Sequence, residues 1–223
     1  ANNFPLGIGW GAGTVSSKML AEWKAYAPKD PRIDGSIFDV TKEAPNYSWG
    51  ADKQQDETGL WEKKYCAINY KVSSDDGDTY QNISMALYPD VSSDYMINNV
   101  QDIVVLRFAD ILLMHSELTK TVDGINRVRA RVGLPAISTY SDQALQSERR
   151  FELAFEGERW FDLLRWHKAA QALAAENGVT VRNNNVEESK DMSNIAQRVE
   201  ATGGFLQIPQ GIVSDCFGGL KGW

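Results

Sequence analysis

The stretch Ser147–Lys168, SERRFELAFEGERWFDLLRWHK, carries the strongest pattern in this chain. Apolar residues recur in it at intervals of three and four, which predicts a helix with one broad apolar face. Gly157 interrupts the pattern and predicts either a kink or a division into two helices. Arginines interleave with glutamates spaced four apart, so opposite charges can meet along the helix surface. The apolar positions are Phe151, Ala154, Phe155, Trp160, Phe161 and Leu164, and the spaced glutamates are Glu148, Glu152 and Glu156.

The letters ERRFELAFEGERWFDLLRW closely resemble the signature of the SusD/RagB family, the surface glycan-binding lipoproteins of Bacteroidetes. The segments GWG, TVSSKMLAEW, KDPRIDGSIF, LWEKKYCAINY, DIVVLRFADILLMHSEL, VDGINRVRARVGLP and FLQIPQ are similar to family segments in the same order. The resemblance covers residues 9–223 and is densest over residues 102–168. It implies a structural signature made by Arg107, Asp110, Arg149, Arg150, Glu152, Glu156, Arg159, Asp162 and Arg165.

The resemblance implies a mainly α-helical, SusD-like fold with long loops and minor β content, with residues 1–223 forming one domain or part of one. Family members are typically more than twice as long. Their N-terminal halves carry a lipidated cysteine and helix-turn-helix repeats of the TPR type, and neither is visible here. We therefore expect the chain to correspond to the C-terminal portion, and one side of its helices to pack on sequence that is absent.

Local signals outside the signature predict further elements. Ser and Thr caps start a helix that runs to about Tyr26, and the triplet Asp30–Arg32 predicts a turn before a short strand within Ile33–Val40. The segment Asp102–Leu118 is apolar almost all round, which predicts a helix buried on most sides. A helix over Val122–Val132 ends at Gly133, and Ser141 caps the helix that enters the signature.

The composition excludes several classes of protein. The chain has 223 residues, enough to bury a sizeable core, and a formal net charge of −7, without the basic stripe that nucleic-acid binding requires. No apolar run is long enough for a membrane span. Cys66 and Cys216 lie far apart in no metal-binding pattern, which leaves two thiols as the favoured interpretation and a disulfide as the alternative. Nothing in the sequence indicates a cofactor.

Catalytic and metal sites find little support in the sequence. Two carboxyl groups could act as a glycosidase pair, but arginines within reach along the helix would lower their pKa values, so an ion-pair network is the favoured interpretation. His115 and His167 belong to no ligand cluster, and Ser116 does not face His115 on a helix. The acidic run at 75–78 lacks calcium-loop spacing. The carboxylates considered are Glu148, Glu152, Glu156, Glu158 and Asp162.

Aromatic residues in predicted loops and at strand ends provide the candidate binding site. A sugar stacks its apolar face on a flat ring, while amides and carboxylates meet its hydroxyl groups. Trp23, Trp160 and Trp166 lie in predicted helices and are assigned to packing. The predicted ligand-binding group is Trp10, Tyr47, Trp49 and Trp61, with Asn46, Asp52 and Gln54 nearby.

The resemblance implies non-catalytic binding of oligosaccharides or polysaccharides at the cell surface. It implies a lipid-anchored protein on the outer face of the outer membrane, which delivers glycan to a TonB-dependent, SusC-like transporter. The lipid anchor would lie outside this chain. Two alternatives stay open: an α-helical glycoside hydrolase that uses two of the acids, and a transporter-docking module without a ligand of its own.

Overall fold

The computed structural model describes residues 14–45, 56–65, 69–74, 77–82, 102–206 and 208–215. The chain divides into two compact units, Ala1–Arg159 with Val179–Glu188, and Trp160–Gly178 with Ser189–Trp223. Helices dominate the described residues and strands are few and short, which confirms the predicted fold class. Among these residues no helix has the length and apolar character needed to cross a membrane.

The described elements are short helices and short strands. The helices are α1 Ser17–Tyr26, α2 Pro31–Ser36, α3 Val40–Glu43, α4 Phe108–Thr119, α5 Asp123–Arg131, α6 Asp142–Glu152, α7 Glu158–Arg165, α8 Ala169–Ala174, α9 Ile195–Thr202 and α10 Gln210–Asp215. The strands are β1 Ile37–Asp39, β2 Leu60–Glu62, β3 Asn69–Ser74, β4 Gly77–Asn82, β5 Thr180–Asn183 and β6 Val186–Ser189. They pair as three two-stranded sheets, β1 with β2, β3 with β4, and β5 with β6.

The signature stretch forms two helices. α6 ends at Glu152, and the chain turns before α7 begins at Glu158. Phe155 and Gly157 both adopt the left-handed backbone conformation, with φ of 66° and 87°. A side chain in this conformation is strained, so the glycine lowers the cost of a turn that Phe155 also has to make. Of the two outcomes left open by the sequence, division is the one observed.

Two apolar clusters lie in the first unit. In one, the rings of Trp23 and Phe151 stack with centroids 4.9 Å apart, which joins α1 to α6. The indole N–H of Trp23 donates to a carboxylate oxygen of Asp30 at 2.9 Å, so the buried polar atom is satisfied. The other cluster joins α4, α5 and α6 through Leu113, Ile125, Val128 and Leu145, all buried.

α4 and α5 approach each other closely at Gly124. A Cβ atom at this position would lie 1.9 Å from the carbonyl oxygen of Leu112. The hydroxyl group of Ser116, on α4, accepts a hydrogen bond from the backbone N–H of Ile125 at 3.1 Å. Only glycine fits here, because any other side chain would overlap the facing backbone.

The segment predicted as a turn at Asp30–Arg32 instead starts a helix. Pro31 occupies the first position of α2, where its missing N–H costs nothing. The carboxylate of Asp30 caps this helix by accepting from the backbone N–H of Arg32 at 3.0 Å. The predicted strand within Ile33–Val40 shortens to Ile37–Asp39 as a result.

The prediction that Asp102–Leu118 forms one helix buried on most sides is wrong. Residues 102–107 are not helical, and α4 starts at Phe108. Only the face of α4 that carries Asp110, Leu113 and Ser116 is buried. The opposite face exposes Phe108, Ile111, Met114 and Leu118, and we name it the α4 apolar face. An exposed apolar face this regular is typical of a packing surface. The expectation that the helices pack one side on further sequence stays a prediction, and it applies to this face.

We expect the chain in isolation to bind a hydrophobic fluorescent dye and to self-associate through the α4 apolar face. Lysine at both Ile111 and Leu118 should reduce dye fluorescence without lowering the unfolding temperature, because both side chains are exposed, at 42% and 84%. Val186→Lys, at a residue 58% exposed, is the matched control and should leave dye binding unchanged. Dye titration and sedimentation provide the readout, and a compact monomer that binds no dye would contradict the prediction.

Candidate binding residues and a buried charge network

The described part of the chain contains one of the seven predicted ligand-binding residues. Only Trp61 belongs to the part of the chain that the structure describes. The other six predicted residues lie outside it: Trp10, Asn46, Tyr47, Trp49, Asp52 and Gln54.

Trp61 lies in the core and does not present its ring to solvent. It sits in β2 opposite Phe38 of β1, and the two ring centroids are 6.4 Å apart. The residue is 6% exposed. Strands alternate their side chains between faces, and this position faces the apolar interior. Trp61 therefore leaves the predicted sugar-binding group.

Glu148 stands at the centre of a buried charge network. It is fully buried and accepts from the guanidinium groups of Arg32 at 2.7 Å and Arg129 at 2.9 Å. The hydroxyl of Tyr26 donates to the same carboxylate at 3.1 Å. These partners come from α1, α2 and α5, so one carboxylate of α6 joins three other helices.

Glu152, the last residue of α6, and Glu156, in the turn that follows, extend the network. Arg32, Arg107 and Arg131 each donate to the carboxylate of Glu152, at distances of 2.6 to 2.9 Å. The carboxylate of Glu156 accepts from Arg107 and from Lys64, both at 2.6 Å. Paired and hydrogen-bonded in this way, buried carboxylates keep their charge without water.

The remaining signature residues form separate ion pairs. Arg149 donates to Asp110 of α4 at 2.6 Å, and both side chains are buried. Arg150 pairs with Glu22 of α1 at 2.6 Å at the protein surface. Within the second unit, Arg165 pairs with Asp162 three residues before it, at 2.8 Å. Arg159 lies half-buried in α7.

The partners of the three spaced glutamates come mostly from outside the helix. The sequence predicted contacts along the helix surface, and within the described residues Asp162 with Arg165 follows that pattern. The sequence did not predict several members of the charge network: Asp30, Arg32, Lys64 and Arg129. Asp30 and Arg32 belong to the KDPRIDGSIF segment, which carried the resemblance but no assigned role. Their close spacing is explained by the structure: Asp30 binds the guanidinium that reaches Glu148 and Glu152.

The network shifts the pKa values of its members. Burial favours protonation of Glu152, but hydrogen bonds from Arg107 and Arg32 outweigh it and hold its pKa below the ordinary value. Burial likewise opposes the hydrogen bonds from Arg32 and Trp23 at Asp30, whose pKa is also lowered. Burial and the charge of Glu148 raise the pKa of Tyr26 to about 12. At neutral pH the phenol is therefore protonated, and both carboxyl groups are ionised.

This arrangement limits what the signature acids can do chemically. A general acid needs a proton near neutral pH, and Glu152 is held as the anion. Glu148, Glu152, Glu156 and Asp162 all form ion pairs. Each accepts from arginine or lysine donors, which is the geometry of structural ion pairs. Glu152 and Glu156 also line a pocket of the first unit, but both carboxylates are held there by Arg107. Within the described residues, no group of three or more His, Cys, Asp or Glu is placed to hold a metal ion.

A groove of about 570 Å³ opens in the second unit. Trp160 and Phe205 line it together with aliphatic side chains of α8 and α9. Among its polar lining residues, Thr202 donates its hydroxyl group to the backbone carbonyl of Arg198 at 3.0 Å. A sugar site needs several convergent polar groups beside a ring, and we do not assign this groove to a sugar.

We expect Glu152→Gln to lower the free energy of unfolding by about 3 kcal/mol, because it removes a buried negative charge that Arg32, Arg107 and Arg131 share. The exposed pair of Glu43 with Lys63 provides the control, since the Glu43 side chain is 37% exposed. Glu43→Gln should cost less than about 1 kcal/mol. Urea denaturation measures both, and equal losses would contradict a special role for the buried pair.

We also expect stability to fall at both ends of the pH range. The pKa of folded Glu152 lies below 4.5 and that of Asp30 below 3.8, so their contribution is present above these values and is lost as pH falls through the folded pKa. The pKa of Tyr26 is raised from 10.0 to about 12, so its contribution is lost as pH rises between these values.

Urea titrations of the wild-type chain and of Tyr26→Phe, across acid, neutral and alkaline pH, provide the measurement. The variant should lose stability less steeply between pH 10 and 12, since it has no phenol to ionise. Parallel curves for the two proteins over this interval would contradict the assignment.

Comparison with known proteins gives the chain its family. The sequence profile of the SusD family matches residues 7–216. The SusD-like protein P38 of Formosa agariphila is 27% identical over 187 residues, which is 74% of this chain and 36% of that protein. A solved structure of a laminarin binding SusD-like protein is 29% identical, with a TM-score of 0.57, over 78% of this chain and 34% of the other.

Surface glycan-binding protein A from Bacteroides thetaiotaomicron has a related fold. Its complex with laminarihexaose is 21% identical, with a TM-score of 0.66, over 97% of this chain and 42% of that one. The chain therefore spans between a third and a half of the length of the relatives it matches. The profile match covers nearly the whole sequence, and the chain belongs to the SusD family.

Proposed function

We propose that this chain is part of a non-catalytic, glycan-binding protein of the cell surface. The observation that carries the proposal is the likeness to the laminarin binding SusD-like protein, at 29% identity and a TM-score of 0.57. Membership of the SusD family, over residues 7–216, supports the same function. Laminarin is accordingly the first ligand to test.

The aromatic residues of the predicted loops are the proposed contact residues. Trp10, Tyr47 and Trp49 would supply flat rings for the apolar faces of sugar units. Asn46, Asp52 and Gln54 would meet the hydroxyl groups. Trp61 is excluded from this group by its burial. Stacking and hydrogen bonding of this kind hold a glycan without breaking any bond.

The charge network supports binding without catalysis. A retaining or inverting glycosidase needs one carboxyl group that is protonated while another is ionised. Glu148 and Glu152 are instead buried at 0% and 1% exposure and are held between guanidinium groups. This observation disfavours a glycoside hydrolase built on the signature acids.

The place of the protein in transport is part of the proposal. We propose that the full-length protein is held at the outer face of the outer membrane by a lipid anchor, and that it passes glycan to a TonB-dependent, SusC-like transporter. The basis is the family to which the chain belongs. A docking module without its own ligand remains the alternative, and the α4 apolar face is the observation that favours it.

Calorimetric titration with laminarin, with laminarihexaose and with a panel of plant and host oligosaccharides tests the proposal. We expect heat of binding for at least one glycan, and no new reducing ends in the mixture. Cleavage would contradict the non-catalytic assignment. Absence of heat with every glycan would contradict ligand binding by this chain and support the docking alternative.

We expect Trp49→Ala to weaken binding of the glycan identified in this way about tenfold, because one stacking platform is lost. The unfolding temperature should stay unchanged. Phe161→Ala is the control: this ring is 65% exposed and lies outside the proposed group, so affinity should persist. Unchanged affinity in Trp49→Ala would remove that residue from the site.

A further inference from the structure

A second pocket lies in the first unit, and its lining includes none of the residues proposed to contact glycan. Its volume is about 340 Å³ and it lies beside the charge network. Basic groups outnumber acidic ones in its lining, by four to two. The lining residues are Arg32, Gly35, Ser36, Lys64, Arg107, Arg131, Glu152 and Glu156.

The excess of positive charge in this lining favours an anion. Glu152 and Glu156 share the four cations, and Arg32 is also bound by Asp30 and Glu148. Across the wider network, which adds Arg129, Asp30, Glu148 and the Glu62 carboxylate beside Lys64, five cations meet five carboxylates. The excess of positive charge therefore belongs to the lining of the pocket itself. A low-dielectric pocket strengthens the attraction for an incoming anion.

Arg131 provides donors for such an anion. Its side chain is 58% exposed, whereas the Glu152 carboxylate that it binds is 1% exposed. Both of its hydrogen bonds to Glu152 are made by Nη2, at 2.9 Å. Its Nε and Nη1 groups form no hydrogen bond within the described part of the chain. An arginine anchored at one nitrogen in this way holds its other N–H donors in place for an oxyanion.

Two further features agree with an anion in this pocket. Burial lowers the pKa of Lys64, and the neighbouring charge of Arg107 lowers it further against the effect of Glu156. An anion nearby would relieve this like-charge repulsion. Gly35 leaves room for it, since a Cβ atom built at this position meets no heavy atom within 4 Å.

We propose that this pocket binds a small oxyanion, a carboxylate or sulfate group, held by Arg131 and by the positive field of Lys64 and Arg107. None of the residues proposed to contact glycan lines this pocket, and the proposal does not depend on glycan binding. A ligand that carries such a group would be recognised here by its charge and not by stacking.

Calorimetry at constant ionic strength, with sodium chloride as the balancing salt, tests the proposal. The probes are inorganic sulfate, glucuronate and the matched neutral sugar glucose. We expect heat with sulfate or with glucuronate, and whichever binds identifies the oxyanion. No heat with either anion, or equal binding of glucuronate and glucose, would overturn the proposal.

Two variants locate the binding. Gly35→Leu fills the pocket without changing any charge, and Arg131→Gln removes the donors at the exposed edge. Each should weaken binding about tenfold or more, since a charge-assisted hydrogen bond or the space for the ligand is lost. Circular dichroism would report whether Gly35→Leu alters the fold. Arg131→Gln then still tests the proposal, because the Arg131 side chain is exposed and its replacement should preserve the fold.

Two matched control variants show whether a loss of affinity comes from the pocket itself, from the loss of one positive charge, or from replacing a helical glycine. Arg127→Gln removes one exposed arginine from the same helix, at a residue that contacts Phe108 and not the pocket. Gly211→Leu makes the same glycine replacement in α10, where the space around Cβ is also empty. Both should retain the wild-type affinity. Affinity that survives Arg131→Gln, or that falls equally in Arg127→Gln, would contradict the assignment.

Discussion

The burial of the Glu148 and Glu152 carboxylates constrains how the neighbouring helices of the first unit are arranged around α6. A carboxylate removed from water costs several kcal/mol unless guanidinium or other donors surround it, so these two groups require their partners in place. Arg32 comes from α2 and Arg129 from α5, while Arg107 precedes α4. With Tyr26 of α1, which donates to Glu148, four helices must therefore converge on the side of α6 that carries these carboxylates. We expect such a network to contribute more to the choice of one arrangement than to net stability, because well-packed apolar residues of equal volume are often as stabilising as a buried ion pair.

Local signals in the sequence predicted where helices begin and end, but they did not predict which residues pack against those helices. The cap at Ser141 accepts from the N–H of Ala144 at 3.1 Å, and Gly133 ends its helix with φ of 72°, both where sequence rules place them. These signals act over one helical turn. The partners of Glu148 lie as far as 122 residues away, and periodicity carries no information at that distance. The α4 apolar face was misassigned for a related reason: an apolar side chain shows that a surface is suited to packing, but not whether it is covered.

The same limit applies to the candidate site. Flat rings near polar side chains describe a sugar site, yet they also describe ordinary strand packing, and Trp61 proved to be packing. The acids of the signature also fit two interpretations, a catalytic pair and a structural ion-pair network. Their spacing is compatible with catalysis when read along one helix, and the contacts across the fold assign them to architecture. Family membership, in contrast, is carried by the order of many segments and not by any single residue, which explains why it could be recognised from the sequence.

Gly124 fixes the position of α4 relative to α5 along their axes. Because a single hydrogen atom is all that fits against the carbonyl of Leu112, sliding either helix by one residue would bring a full side chain into that contact. The two helices are thereby held at one relative height. That height places the start of α4, with Arg107, level with the end of α5, with Arg131, so that both reach the same carboxylate of Glu152. An uncharged residue without a side chain thus aligns two charged ones.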